Sequence, residues 1–185
     1  MAISHPSIII LISGYQGSGK DSIGRNLVSY WGFSRVAFAD MLKDEVSKIY
    51  GIERSRMDTQ EGKKSLISQE DTRSVRDILI EHGQLRRNQD GDYWSNEAIK
   101  RMDGKDKVVV TDWRFPQEYD AIINVFGHDI VKTWRVNRYG RSIQDLDYSE
   151  YALNRWSFDK VFENYDCIGK LFQKVDQAIY ELGYK

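Results

Sequence analysis

The order of apolar and polar positions divides the chain into short apolar runs separated by stretches of helical spacing. Ile8-Ile9-Ile10-Leu11-Ile12 is wholly apolar and rich in β-branched residues, which predicts a strand buried on both faces, as in a parallel sheet covered by helices. Helical spacing resumes at Ile23 and Leu27, predicting a helix from about Asp21 to Tyr30 that ends near Gly32. Arg35 to Ala39 reads as a second strand carrying Asp40 at its C-terminal end, followed by a helix through Met41, Leu42, Val46 and Ile49. Gly51 to Ser68 is polar with little apolar periodicity, a loop or mobile helical segment. Ser68-Gln69-Glu70-Asp71 has the form of a capping box, opening a helix with Val75, Ile78, Leu79 and His82 on a buried stripe and Gly83 ending or bending it.

The same alternation continues to the C-terminus. Asp92-Tyr93-Trp94 opens a helical segment towards Met102, and Val108 to Asp112 gives a third strand. Pro116 starts the next helix at its first turn, with Tyr119, Ile122, Ile123 and Phe126 on its apolar face. Ile130 to Val136 is a fourth strand and Lys160-Val161-Phe162 a weak fifth, ending in Glu163 and Asn164. A last helix carries Ile168, Leu171, Phe172, Val175, Ile179 and Leu182 over the sheet. Five strands alternating with helices predict an α/β three-layer sandwich with a central parallel five-stranded sheet.

Composition narrows the field. The 185 residues suffice for one domain with a sizeable core. With 27 basic and 28 acidic residues the net charge is −1, so no overall basic field argues for a nucleic acid polymer as partner. The single cysteine, Cys167, suits a reducing cytosol and reads as a small core residue. No apolar run reaches membrane-spanning length, and the N-terminus has no charged segment leading an apolar one. The expectation is a chain of the cytoplasm (the host's, if phage-encoded) with no membrane partner and with a homodimer left open.

The chemistry concentrates between the first strand and the first helix. Gly14, Gly17 and Gly19 are followed by Lys20, so strand, glycine loop, lysine and helix follow in the order of a phosphate-binding loop. Glycines let backbone N–H groups curl around an anion, the helix N-terminus adds positive potential, and Lys20 supplies a mobile charge. Asp21 stands where such loops usually place a Ser or Thr for Mg²⁺, and Ser22 follows it. A plain glycine turn is the alternative.

Further candidates sit at the predicted carboxyl ends of strands, where ligands of open α/β sheets bind. Asp40 and Lys43 are placed for a second substrate, or form a cap and a solvated face. Arg73 and Arg76 share a helical face, with Arg86 and Arg87 beyond; they form either an anion clamp for a phosphorylated acceptor or a charged surface. His82 reads as packed. Trp94 is core, or stacks on a base. Asp112 closes a Walker-B-like strand and would hold the shell of Mg²⁺, with Arg114 and Glu118 just after it. Arg135, Arg138 and Arg141 around Tyr139-Gly140 read as a basic, glycine-hinged lid over a triphosphate, or as a charged loop.

Taken together these blocks resemble the phage-type deoxynucleoside monophosphate kinases of the P-loop kinase superfamily. The carrying residues are Gly14 to Ser22, similar to GxxxSGKDT, which makes Asp21 a family trait. Phe38-Ala39-Asp40 with Lys43 is similar to FAxxLK, and Arg76 to Gly83 with Tyr93-Trp94 to RxxLQxxG and its following aromatic. Thr111 to Glu118 is similar to TDxRFxxE; Arg135 to Arg138, Ser149-Glu150 and Phe158 to Asn164 resemble the lid and final strand. The resemblance spans about Ile8 to Asn164. Two positions depart from it: the family's glutamine is Ile80 here, and the threonine after its glycine is Gln84.

The resemblance implies a single P-loop nucleoside-phosphate kinase domain over 1–185, with an acceptor-binding insert at about 51–94 and a lid at about 136–156. The activity implied is transfer of the ATP γ-phosphoryl group to the 5′-phosphate of a deoxynucleoside monophosphate, with Mg²⁺. Gly14, Gly17, Ser18, Gly19, Lys20, Asp21, Ser22, Arg138 and Arg141 would bind ATP. Asp40, Lys43, Arg73, Arg76, Gly83, Trp94, Arg114 and Glu118 would bind the acceptor. Lys20, Arg76, Asp112, Arg114 and Arg138 would act in catalysis, and Asp21, Ser22 and Asp112 would organise the metal. The alternatives are another small-molecule P-loop kinase, acting on dephospho-CoA or a ribonucleotide, and a non-catalytic ATP-binding module.

Overall fold

The computed structural model describes residues 5–138 and 148–184. Arg141 and residues 139–147 of the expected lid lie outside them. Five strands, β1 (Ile8–Ser13), β2 (Ser34–Val36), β3 (Lys107–Val110), β4 (Val131–Asn137) and β5 (Lys160–Glu163), form one sheet in the order β2-β3-β1-β4-β5. Every pairing is parallel, and helices flank the sheet, as the alternating pattern predicts.

β1 lies at the centre and is buried along its whole length. The all-apolar run therefore has the cause inferred for it: both faces are covered. Ile8, Ile10 and Ile12 join Trp134, Val136 and Phe162 beneath two helices, α1 (Lys20–Trp31) and the last helix (Ile168–Glu181). Ile9 and Leu11, one residue out of phase, turn to the opposite face.

The chain packs as two compact units, one comprising Met1–Ala37 with Ile99–Lys185 and the other Phe38–Ala98. The second unit holds α2 (Phe38–Tyr50), α3 (Arg54–Asp58), α4 (Gln60–Lys64), α5 (Val75–Gln89) and the start of α6 (Tyr93–Met102), and α2, α3 and α5 pack around Val46, Ile52, Met57, Val75 and Ile78. The first unit carries the sheet with α1, α7 (Pro116–Phe126), α8 (Tyr148–Tyr151) and α9, the Ile168–Glu181 helix.

Several local expectations change. β2 ends at Val36 and Phe38 already begins α2, so Asp40 lies in a helical first turn and not at a strand end; Phe38, Met41 and Val46 form a helical stripe, and an acid near a helix N-terminus is favourable. Two short helices occupy most of the polar stretch 51–68. The capping box of α5 is Ser74 with Asp77, not Ser68 with Asp71: Ser74 Oγ accepts from the Asp77 amide at 3.2 Å, and Asp77 accepts from the Ser74 amide at 2.8 Å. Ser68 caps only a turn, accepting from the amides of Glu70 and Asp71. α5 runs on through Gly83, where an added Cβ would lie at an ordinary 3.5 Å from Leu42 Cδ2. Cys167 is exposed as the residue preceding α9, and Ile168 is exposed in its first turn; an N-terminal turn lies at the rim of the packed face.

Candidate functional site

The loop after β1 is shaped by positive backbone angles, with φ of +146°, +75° and +115° at Gly14, Gly17 and Gly19. Space demands glycine as well as conformation. A Cβ at Gly14 would lie 2.4 Å from the Val136 carbonyl oxygen and 2.8 Å from Ser18 Oγ, and one at Gly19 would lie 2.6 Å from Asn164 Nδ2. The amide of Ser18 returns to the Tyr15 carbonyl at 3.0 Å, closing the loop on itself. Ser18 Oγ is buried without a hydrogen-bond partner.

α1 starts at Lys20 behind Gly19, whose lack of a side chain leaves the first-turn amides without a side-chain cap. Lys20 Nζ donates to the carbonyls of Gly14, at 2.5 Å, and Tyr15, at 2.9 Å, so the ammonium is held within the loop. Asp21 is exposed and Ser22 half-buried; Arg25 Nη2 lies 3.4 Å from Ser22 Oγ. Further along α1, a Cβ at Gly24 would meet Thr111 Cγ2 at 2.4 Å. That approach seats the start of α1 against the residue preceding Asp112, itself half-buried just past β3.

Arg114 follows in a firmly held turn. Glu118, buried in the first turn of α7, accepts from the amides of Arg114 at 2.9 Å and Phe115 at 3.1 Å. Glu118 thus fixes the backbone of Arg114 from behind. Trp113 is fully buried, donates its indole N–H to the Phe115 carbonyl at 2.8 Å, and meets Trp156 and Phe158 edge-to-face. Arg114 Nη1 donates to Ser149 Oγ at 2.8 Å. Arg138, just beyond β4, is exposed.

The remaining expected residues belong to the unit Phe38–Ala98. Asp40 takes Arg54 Nη2 at 2.7 Å, and Lys43 pairs with Asp58 at 2.8 Å. Arg54 also reaches Asp44 and Asp58, so the two expected acceptor contacts sit in one ion network centred on an arginine that no sequence motif marked. Burial lowers the Arg54 pKa, but its hydrogen bonds to Asp40 and Asp44 outweigh this and raise it. Arg73 precedes the Ser74 cap of α5 and so does not share a helical face with Arg76; it is exposed and bonded to Asp71 and Glu81, and its guanidinium pulls the Asp71 carboxyl down to about 2. Arg76 is exposed on α5 and donates to Gln60 Oε1 at 2.8 Å.

Trp94 is buried, with its indole N–H directed to the Gly83 carbonyl at 3.3 Å. His82 is buried as expected, its Nε2 3.3 Å from Glu45, which also accepts from Arg86 and Tyr93. Burial pushes the Glu45 pKa up, but the hydrogen bonds from Arg86, Tyr93 and His82 prevail and lower it.

Two asparagines that brace the loop stand apart from the expected site set. Asn164 Nδ2 donates to the Ser18 carbonyl at 2.7 Å, and Asn154 meets the Tyr15 hydroxyl. Asn164 falls within the final-strand block of the resemblance; Asn154 has no sequence signal, because its partner lies 139 positions away.

No family model and no curated protein sequence matches the chain. Solved structures do match its fold. Dephospho-CoA kinase from Campylobacter jejuni superposes with a TM-score of 0.54 and 13% identity, covering 94% of this chain and 96% of that one. TT1252 from Thermus thermophilus gives 0.53 and 17%, covering 97% and 99%. A proposed kinase of Chloroflexus aurantiacus gives 0.50 and 11%, covering 96% and 98%. At these identities the likeness is one of fold, a parallel five-stranded sheet flanked by helices that this chain shares with solved kinase structures. Among the described residues no helix is long and apolar enough to cross a membrane.

Proposed function

We propose that this chain transfers the γ-phosphoryl group of ATP to the 5′-phosphate of a deoxynucleoside monophosphate. The observation that carries the reading is Lys20 held on the carbonyls of Gly14 and Tyr15, at the start of a helix whose N-cap glycine leaves first-turn amides for an anion. Gly14, Gly17, Ser18, Gly19 and Lys20 bind the ATP phosphates. When they arrive, Lys20 exchanges its two carbonyl acceptors for phosphate oxygens.

An acceptor phosphate oxygen attacks the γ-phosphorus, the bond to the β–γ bridging oxygen breaks, and ADP leaves. The nucleophile is already anionic, so the protein's task is to align two polyanions and offset the charge between them. Lys20 and Arg114 do this from the sheet edge, with Arg138 beyond β4. Arg73 and Arg76 would hold the acceptor phosphate. Asp21, Ser22 and Asp112 are an oxygen-only donor set beside the loop, which suits a hard cation such as Mg²⁺; bound there, it would neutralise phosphate charge.

The likeness in fold to a dephospho-CoA kinase supports a second acceptor class. An ADP-release assay with ATP and Mg²⁺ against each deoxynucleotide, each ribonucleotide and dephospho-CoA separates the readings. Turnover dependent on a deoxynucleoside monophosphate supports the first; turnover with dephospho-CoA alone overturns it. ATP binding with no turnover on any acceptor points to a non-catalytic module. Lys20→Ala should lower turnover by at least about a hundredfold, the scale of a lost transition-state contact.

A further inference from the structure

Tyr15, the second residue of the phosphate loop, is held by groups distant in sequence. Its hydroxyl lies 2.9 Å from Asn154 Nδ2 and 3.1 Å from Oδ1. Its ring lies against the Arg135 guanidinium, 4.9 Å from the centroid. Arg135 is buried on β4 directly opposite Ser13, the last residue of β1. It donates to Ser13 Oγ at 3.3 Å and to Asn154 Oδ1 at 3.0 Å. With Oδ1 accepting from Arg135, the Asn154 amide is left to donate to the Tyr15 hydroxyl.

The backbone of Tyr15 faces the other way in this linkage. Its carbonyl accepts from Lys20 Nζ and from the Ser18 amide. One residue therefore joins a side-chain anchor on the body of the fold to the carbonyl that holds the lysine. Asn154 is itself set in a turn after α8, its amide bonded to the Tyr151 carbonyl at 2.9 Å.

We infer that Asn154 is a positioning residue of the phosphate loop, acting through Tyr15 and Arg135 on the placement of Lys20. The inference rests on the reading of this loop as an ATP site. Fixing the Tyr15 ring removes loop freedom before the nucleotide arrives, and such preorganisation appears as affinity. A single neutral hydrogen bond at a partly exposed site corresponds to about a three- to tenfold change in affinity.

The test is a double-mutant cycle in the full-length chain, reading affinity for the ATP analogue AMP-PNP with Mg²⁺ by calorimetry, with melting temperature alongside. Asn154→Ala and Tyr15→Phe are each expected to weaken binding about three- to tenfold. The double variant should be no weaker than the worse single variant, because both remove the same link. Asn154→Asp should restore affinity, since its carboxylate accepts from both Arg135 and the Tyr15 hydroxyl. Unchanged affinity in the single variants overturns the inference, as do effects that add independently or losses that merely follow melting temperature. Wild-type protein that binds no AMP-PNP overturns the ATP-site reading itself, and the inference with it.

Discussion

The side-chain amide of Asn164 donates to the carbonyl of Ser18 at 2.7 Å, across 146 positions of sequence. The residue after β5 thereby clips the phosphate loop where it enters α1. A Cβ at Gly19 would fall 2.6 Å from that same amide nitrogen, at a φ of +115°. Gly19→Ala should therefore weaken ATP about tenfold or more from backbone strain alone. Asn164→Ala should remove the clash but not the strain, so the double variant recovers only part of the loss in a binding titration. Full recovery would show that the clash alone excludes a side chain.

Gly24 offers a test in which the usual sign reverses. Glycine to alanine inside a helix ordinarily stabilises by about 1 kcal/mol. Here the new methyl would lie 2.4 Å from Thr111 Cγ2, and overpacking of this kind costs about 1–3 kcal/mol. Gly24→Ala should lower the denaturant midpoint. Adding Thr111→Ser, which keeps the hydroxyl that accepts from Arg35 at 3.0 Å, should reverse much of the loss. A stabilised single variant would mean that α1 and β3 are farther apart than described.

Glu118 holds two backbone amides ahead of α7. Glu118→Ala is expected to cost about 1–2 kcal/mol in chemical denaturation, the scale of a lost cap. If Arg114 acts on the transferring group, kcat should also fall while KM for ATP stays near wild type. A change confined to KM would remove Arg114 from that role.

Asp71 provides a pH signature. Its carboxyl is drawn from an ordinary 3.8 to about 2 by hydrogen bonds from the Arg73 side chain and backbone. A depressed acid stabilises the fold above its unfolded pKa, and that contribution is lost as pH falls through the folded value. Wild-type melting temperature should therefore drop more steeply than that of Asp71→Asn between about pH 4 and pH 2. Parallel curves would mean that the Asp71–Arg73 pair does not persist in solution.

Legibility in the sequence followed from how local each signal was. β1, the glycine loop and α1 could be read because the apolar period changes across three glycines within one short stretch. Phe38-Ala39-Asp40 misled because a short apolar run fits a strand or a helix equally. Ser68 and Ser74 both precede an acid three positions on, and only the three-dimensional course of the chain decides which caps α5. Cys167 was misplaced because residue type says little about position at a helix start. Asn154 left no trace, since its side-chain partners Tyr15 and Arg135 lie 139 and 19 positions away.

The central place of β1 also bears on how the chain reaches this structure. Its two neighbours in the sheet, β3 and β4, both come from the second half of the chain. During synthesis the run Ile8 to Ile12 emerges well before its partners, which begin at Lys107 and Val131. Such non-local pairing is slow, and an unpaired, wholly apolar strand is prone to associate with other chains meanwhile. Expression at low temperature or with chaperones should raise soluble yield more than mutations that strengthen α2 or α5. The strand that places the lysine is thus also the one most in need of protection before folding is complete.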